Sequence, residues 1–267
     1  MPLTLLYLLL IYLQSVDGHV QIIEERKSDG TVALLAVNRG HCPYTVTLDV
    51  QLTNVTASVP LPITEVVNPG RGPHEMAMLT PKKNAKWSYR SDYRYQMGDT
   101  EAIHDGDQIY MLPFAPDSLY MFMQGPHGSF SHQNSHAYDF GMRQGSGVHA
   151  ARAGIVAYVR KDSQKGCPDR SCLEDANSIL INHSDGSFAS YAHLQYQGSL
   201  VEPGDSVQQG QLIGYSGNTG WSSAPHLHFE VFVARRSGRS TLPVRFQTQN
   251  GPTENLHEGD SYRRSRR

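Results

Sequence analysis

Ser223-Ala224-Pro225-His226-Leu227-His228-Phe229-Glu230-Val231 is the stretch whose reading decides this chain. Successive side chains of an extended strand point to opposite faces, so Leu227, Phe229 and Val231 line one side and His226 and His228 share the other. Two neutral imidazoles on one surface can both ligate a metal ion, or one can ligate while the other touches what the metal holds. The plainer alternative is a half-buried strand whose polar face happens to carry histidine. The rest of the chain has to choose between them.

Two upstream segments supply matching chemistry. Tyr191-Ala192-His193-Leu194 ends the alternating run Phe188-Ala189-Ser190-Tyr191, which predicts a strand with its histidine on a defined face. Ala137-Tyr138-Asp139-Phe140-Gly141 follows Phe130-Ser131-His132-Gln133-Asn134-Ser135-His136 and sets Asp139 between two aromatic residues, an odd place for a carboxylate that is neither paired nor metal-bound. A hydrolytic zinc site needs three protein ligands, an open fourth position, and groups that manage charge and protons beside it. Histidines, an aspartate and a tyrosine in strand-like surroundings meet that demand.

At these residues the chain resembles the lysostaphin/LytM family of zinc endopeptidases, which cut peptide bridges in bacterial peptidoglycan. The resemblance runs from about residue 124 to 233 and includes Gly145-Ser146-Gly147-Val148-His149, Val201-Glu202-Pro203-Gly204-Asp205 and Ser216-Gly217-Asn218-Thr219-Gly220. It implies one zinc ion, with Asp139 and His228 as ligands and His193 and His226 as the catalytic pair. One of that pair would take the proton of the attacking water and pass it to the leaving amine. The other would hydrogen-bond the developing oxyanion, and the residues leave open which does which.

The first zinc ligand departs from the family's commonest pattern, a histidine four residues before the aspartate, because position 135 is serine. His136 stands three before Asp139, on the opposite face of a strand. His132 stands seven before and needs a loop to return it. Some members carry a more distant histidine after a Gln-Gly pair, as Gln124-Gly125 precedes His132 here, so His132 is preferred, ahead of His136 and then His127. His183, where a strand enters an Asp-Gly turn, and His149 read as structural, and Tyr191 either packs or lies beside the site.

Compartment is read from the ends and the cysteines. Residues 3–13 are an apolar run too short to span a bilayer, followed by Ser15-Val16-Asp17-Gly18, which reads as a signal peptide cleaved after Gly18. Export to the periplasm or beyond follows, with no transmembrane segment in the mature form. Cys167 and Cys172 would close a short loop in an insertion between Val159 and Ile179, leaving Cys42 over. A net charge of −2 argues against a nucleic-acid partner, and Arg263-Arg264-Ser265-Arg266-Arg267 reads as a solvated basic tail.

With 267 residues, 24 glycines and 15 prolines, the chain is expected to be all-β and long enough for two domains. Residues 19–98 read as a small β-sandwich, residues 105–237 as an antiparallel sheet or barrel-sandwich peptidase domain, and residues 238–267 as one last strand and the tail. The front domain shows no chemistry of its own. Wall binding, an envelope partner or cover over the cleft are all open to it. The function expected is an exported zinc endopeptidase acting on peptidoglycan peptides. Two alternatives stand beside it: an inactive family member that binds and activates a wall amidase, and a zinc-stabilised binding module, in which protein ligands would fill all four positions.

Overall fold

The computed structural model describes residues 18–129 and 131–264, so the expected signal peptide lies outside the described residues but for Gly18. The chain divides into two compact units, residues 1–99 and 100–267. Among the described residues, apart from the short 3-10 helix Arg170–Asp175, the regular elements are strands, as the β-branched runs and frequent turn residues predict. No helix of the described residues is long and apolar enough to cross a membrane.

The first unit holds two antiparallel sheets. Strands Val20–Arg26, Val32–Asn38, His74–Pro81 and Val55–Ala57 pair in that order, and Tyr44–Thr53 lies between Ile63–Val67 and Ser88–Met97. Alternation places Val46, Leu48 and Val50 on one buried face. Asn38 at a strand end donates through its side-chain amide to the carbonyls of Cys42 and Val67. Cys42 is a buried free thiol.

The second unit is built on one large antiparallel sheet. Leu227–Arg235 lies at its centre, flanked by Phe188–Ser199 on one side and Ala137–Gly141 on the other, with Leu119–Gln124 beyond. Its register fixes the site: Asp139 pairs with His228, and Ala192 pairs with His228 from the opposite neighbour. Tyr138 and Tyr191 both pair with Phe229 on the other face, inside an aromatic core with Tyr110 and Phe246. Burying Phe229 stabilises the unit by about 2–3 kcal/mol, and the same packing holds the histidine face rigid behind it.

The segment after residue 237 departs from expectation. Pro243 has no N–H to donate and interrupts the single strand read there, leaving Gly238–Leu242 and Arg245–Thr248 on different partners. The chain then returns through Ser261–Arg263 to pair with Leu119–Gln124. Arg264, read as part of a solvated tail, is 7% exposed and donates from Nη1 to the Phe114 carbonyl at 2.7 Å. A charge run alone does not reveal that a carbonyl waits for one of its members. Residues 265–267 lie outside the described residues.

Candidate metal centre

His132 reaches the site by a turn. Asn134 takes a left-handed conformation (φ 60°), which asparagine tolerates, and the Ser135 N–H closes the turn on the His132 carbonyl at 3.0 Å. The imidazole is 1% exposed, and its Nδ1 donates to the Gly125 carbonyl at 2.9 Å. That bond fixes the tautomer and leaves Nε2 a bare lone pair. Nε2 is buried without a hydrogen bond, 3.1 Å from Asp139 Oδ2. A nitrogen and a carboxylate oxygen at that distance call for a positive charge between them, either a proton on Nε2 or a metal ion.

His228 completes the group. Its Nδ1 lies 2.9 Å from Asp139 Oδ1, and one ligand atom from each of His132, Asp139 and His228 falls within 4.8 Å of the others. Burial pushes the Asp139 carboxyl up, but contacts with His132 and His228 outweigh it and hold the group well below the usual carboxylate range. For His228 burial pushes the other way, and Asp139 and Glu230 outweigh it, so the ring favours its protonated form. A positive charge beside Asp139 is thus favourable, and a metal ion taking the place of the His228 Nδ1 proton would supply it. The donor set of two imidazole nitrogens and one carboxylate oxygen suits zinc, with a position left over.

His193 and His226 border the group. Ala192 faces the same side as His228, so strand parity would send His193 into the core; a left-handed conformation at His193 (φ 61°) turns it back instead. Its Nδ1 donates to the Thr219 carbonyl at 2.7 Å, and burial lowers its pKa to about 3. His226 stands just before its strand, with Nδ1 2.8 Å from the Ala224 carbonyl and 3.1 Å from Ser222 Oγ. Both rings therefore keep an unprotonated Nε2, and their centroids lie 4.5 Å apart. His226 Nε2 is 3.7 Å from Asp139 Oδ1.

The remaining candidates lie elsewhere. His136 packs edge-on against His127, ring centroids 4.7 Å apart, and its backbone N–H donates to Thr241 Oγ1. His183 is buried with Nδ1 2.8 Å from the Ala153 carbonyl, and His149 Nδ1 lies 2.8 Å from the Gly210 carbonyl. Tyr191 is fully buried and its hydroxyl accepts from the Ala151 N–H, so it packs. Glu230 was missed: 9% exposed, it lies 3.8 Å from His228 Nε2 and accepts from Arg239 Nη1 at 3.0 Å. Its i+2 spacing from His228 was the available signal.

Residues 133–241 match the family model described as Peptidase family M23. The chain carries a Peptidase family M23 domain. Asp139, His193, His226 and His228 fall inside the matched stretch, and His132 stands one residue before it. Among curated relatives of the M23 domain, the DD-carboxypeptidase/endopeptidase Mpg of Neisseria meningitidis is 28% identical over 148 residues, which cover 53% of this chain and 30% of that protein. The peptidoglycan DD-endopeptidase ShyA of Vibrio cholerae is 36% identical over 98 residues, 37% of this chain and 20% of that protein. The chain thus matches less than a third of the length of either relative. The catalytic domain of lysostaphin from Staphylococcus simulans is 27% identical, over 49% of this chain and 86% of that one, with a TM-score of 0.34, an overlay too loose to add to the sequence match.

Proposed function

We propose that this protein is an exported zinc peptidase that hydrolyses peptide cross-links of bacterial peptidoglycan. The observation that carries the reading is the convergence of His132 Nε2, Asp139 and His228 Nδ1 beside two histidines whose Nε2 atoms are bare. His132, Asp139 and His228 would hold the ion, and His193 and His226 would do the proton work. Bound zinc supplies Lewis acidity and makes hydroxide available near neutral pH.

The chain's own residues do the rest. Thr219 and Ala224 anchor the Nδ1 protons of His193 and His226, so each Nε2 stays ready to accept a proton from the attacking water. The ring that takes that proton then passes it to the leaving amine, while the other would donate to the oxyanion after taking a proton of its own from solvent. Burial disfavours the protonated form of His193, so a proton that it accepts is readily given up again. Export is supported by the apolar run at residues 3–13 and by the Cys167–Cys172 bridge, which an oxidising compartment favours.

The relatives' names make D,D-cross-linked muropeptides the first substrates to try. Mass analysis of products after incubation with the purified, zinc-loaded protein tests the reading. Cleavage that a chelator abolishes and zinc restores is expected. Cleavage undiminished in protein shown to be metal-free overturns the zinc assignment, and no cleavage without an added amidase favours the activator.

A further inference from the structure

Residues 218–222 have two edges, and each is in use. The inner edge serves the histidines: the Thr219 carbonyl accepts from His193 Nδ1, and Ser222 Oγ lies 3.1 Å from His226 Nδ1 while donating to Asn218 Oδ1 at 2.6 Å. The outer edge is bound to the insertion that follows Gly154–Arg160. Gly166–Cys167 pairs in parallel with Gly220–Trp221, the Gly220 N–H donates to the Lys165 carbonyl at 2.9 Å, and the Ser222 N–H donates to the Cys167 carbonyl at 3.0 Å. The Arg170 guanidinium sits 5.8 Å from the centre of the Trp221 ring. No slack separates the two segments: a Cβ on Gly166 would lie 1.9 Å from the Asn218 carbonyl oxygen.

The insertion is closed by the disulfide Cys167–Cys172. Cys172 is buried, and Asp169 between the two sulfurs caps the short helix by accepting from the Ser171 N–H at 2.8 Å. The metal-ligating side chains belong to other elements, the turn at residues 131–136 and the strands Ala137–Gly141 and Leu227–Arg235. A change in the insertion therefore reaches the proton-handling histidines by a route that bypasses the ligands.

We propose that the Cys167–Cys172 bridge is a positioning device: it holds the insertion against residues 218–222, keeps His193 and His226 aimed, and makes turnover sensitive to reduction while the metal stays bound. This rests on the catalytic roles given above to His193 and His226. Reduction by a water-soluble phosphine breaks the S–S bond, leaves two thiols that take their protons from water, and oxidises the phosphine to its oxide with water's oxygen. Freed of the bridge, the Gly166–Cys167 edge can leave Gly220–Trp221, so Gly220 and Ser222 lose their bonds to Lys165 and Cys167 and Thr219 is left to the bonds of its hydroxyl with Asn177 and Leu194.

The test uses the full zinc-loaded chain, oxidised and phosphine-reduced, with the reductant removed before assay well below the melting temperature. kcat is expected to fall about 10- to 100-fold, the cost of a misplaced catalytic group, while zinc content and affinity are unchanged and reoxidation restores turnover. C167S/C172S should show the same low kcat and no response to the phosphine, which excludes action through Cys42. If that variant does not fold, reduction of the folded wild type still decides. In 15N-histidine spectra the slowly exchanging Nδ1–H signals of His193 and His226 should broaden on reduction. Unchanged kcat with unchanged Nδ1–H signals overturns the proposal, and so does loss of zinc in step with kcat. If neither form cleaves any muropeptide, the peptidase reading fails, and Nδ1–H signals that survive reduction then refute the positioning role separately.

Discussion

Replacing His132 by alanine removes one of three converging ligand atoms, and the structure sets the size of the effect. Zinc in a four-ligand protein site is bound by roughly 10–16 kcal/mol, so an even share is about 3–4 kcal/mol per ligand. At about 1.4 kcal/mol per decade, losing His132 weakens zinc binding by about 10²–10³-fold. The fold is affected less, because the Gly125 carbonyl loses a donor at a cost of about 1 kcal/mol. His136→Ala is the matched control: it deletes an imidazole packed on His127, away from Asp139, and should keep zinc at wild-type affinity. Competition with a chromophoric chelator at neutral pH measures both variants, with circular dichroism as the folding check. Retention of zinc by His132→Ala and its loss in His136→Ala would refute the reasoning and require the Ala137–Gly141 strand to bend at Asp139.

His193→Ala should keep zinc bound and lower turnover by about 10²-fold or more; wild-type cleavage of muropeptides by this variant would remove His193 from the mechanism. Glu230→Gln should weaken zinc about 10-fold, because the carboxylate 3.8 Å from His228 Nε2 orients that ring, and zinc titration would detect it. Burial lowers the His183 pKa from 6.5 to about 4, so between those values the unfolded chain binds a proton that the native chain refuses. Stability should therefore fall as pH drops through that window, by at most about 3 kcal/mol in full. Urea denaturation of wild type and His183→Gln at matched pH values checks it, since an equal pH slope in both contradicts the assignment.

Much of the candidate site was legible because it rests on local periodicity. The i, i+2 spacing of His226 and His228 and the carboxylate set between Tyr138 and Phe140 are strand properties, readable wherever a strand is predicted. The same parity argument separated His136 from Asp139, and the short spacing of Cys167 and Cys172 marked their bridge. Parity failed at His193, where a left-handed backbone conformation, invisible in a histidine's identity, turns the ring toward His226 and His228. It was silent on the backbone carbonyls of Gly125 and Thr219, which set the tautomers of His132 and His193, because a carbonyl carries no residue signature.

The return of residues 238–264 to the second unit, the burial of Arg264, and the seating of the insertion on residues 218–222 were likewise decided only by tertiary structure. His228 meets Asp139 across 89 positions and His193 meets Thr219 across 26. Residue types and spacing state which side chains can share a face, since that depends on bonds between neighbours. Which faces and carbonyls meet depends on strand order and register, and these are settled by packing the whole core at once.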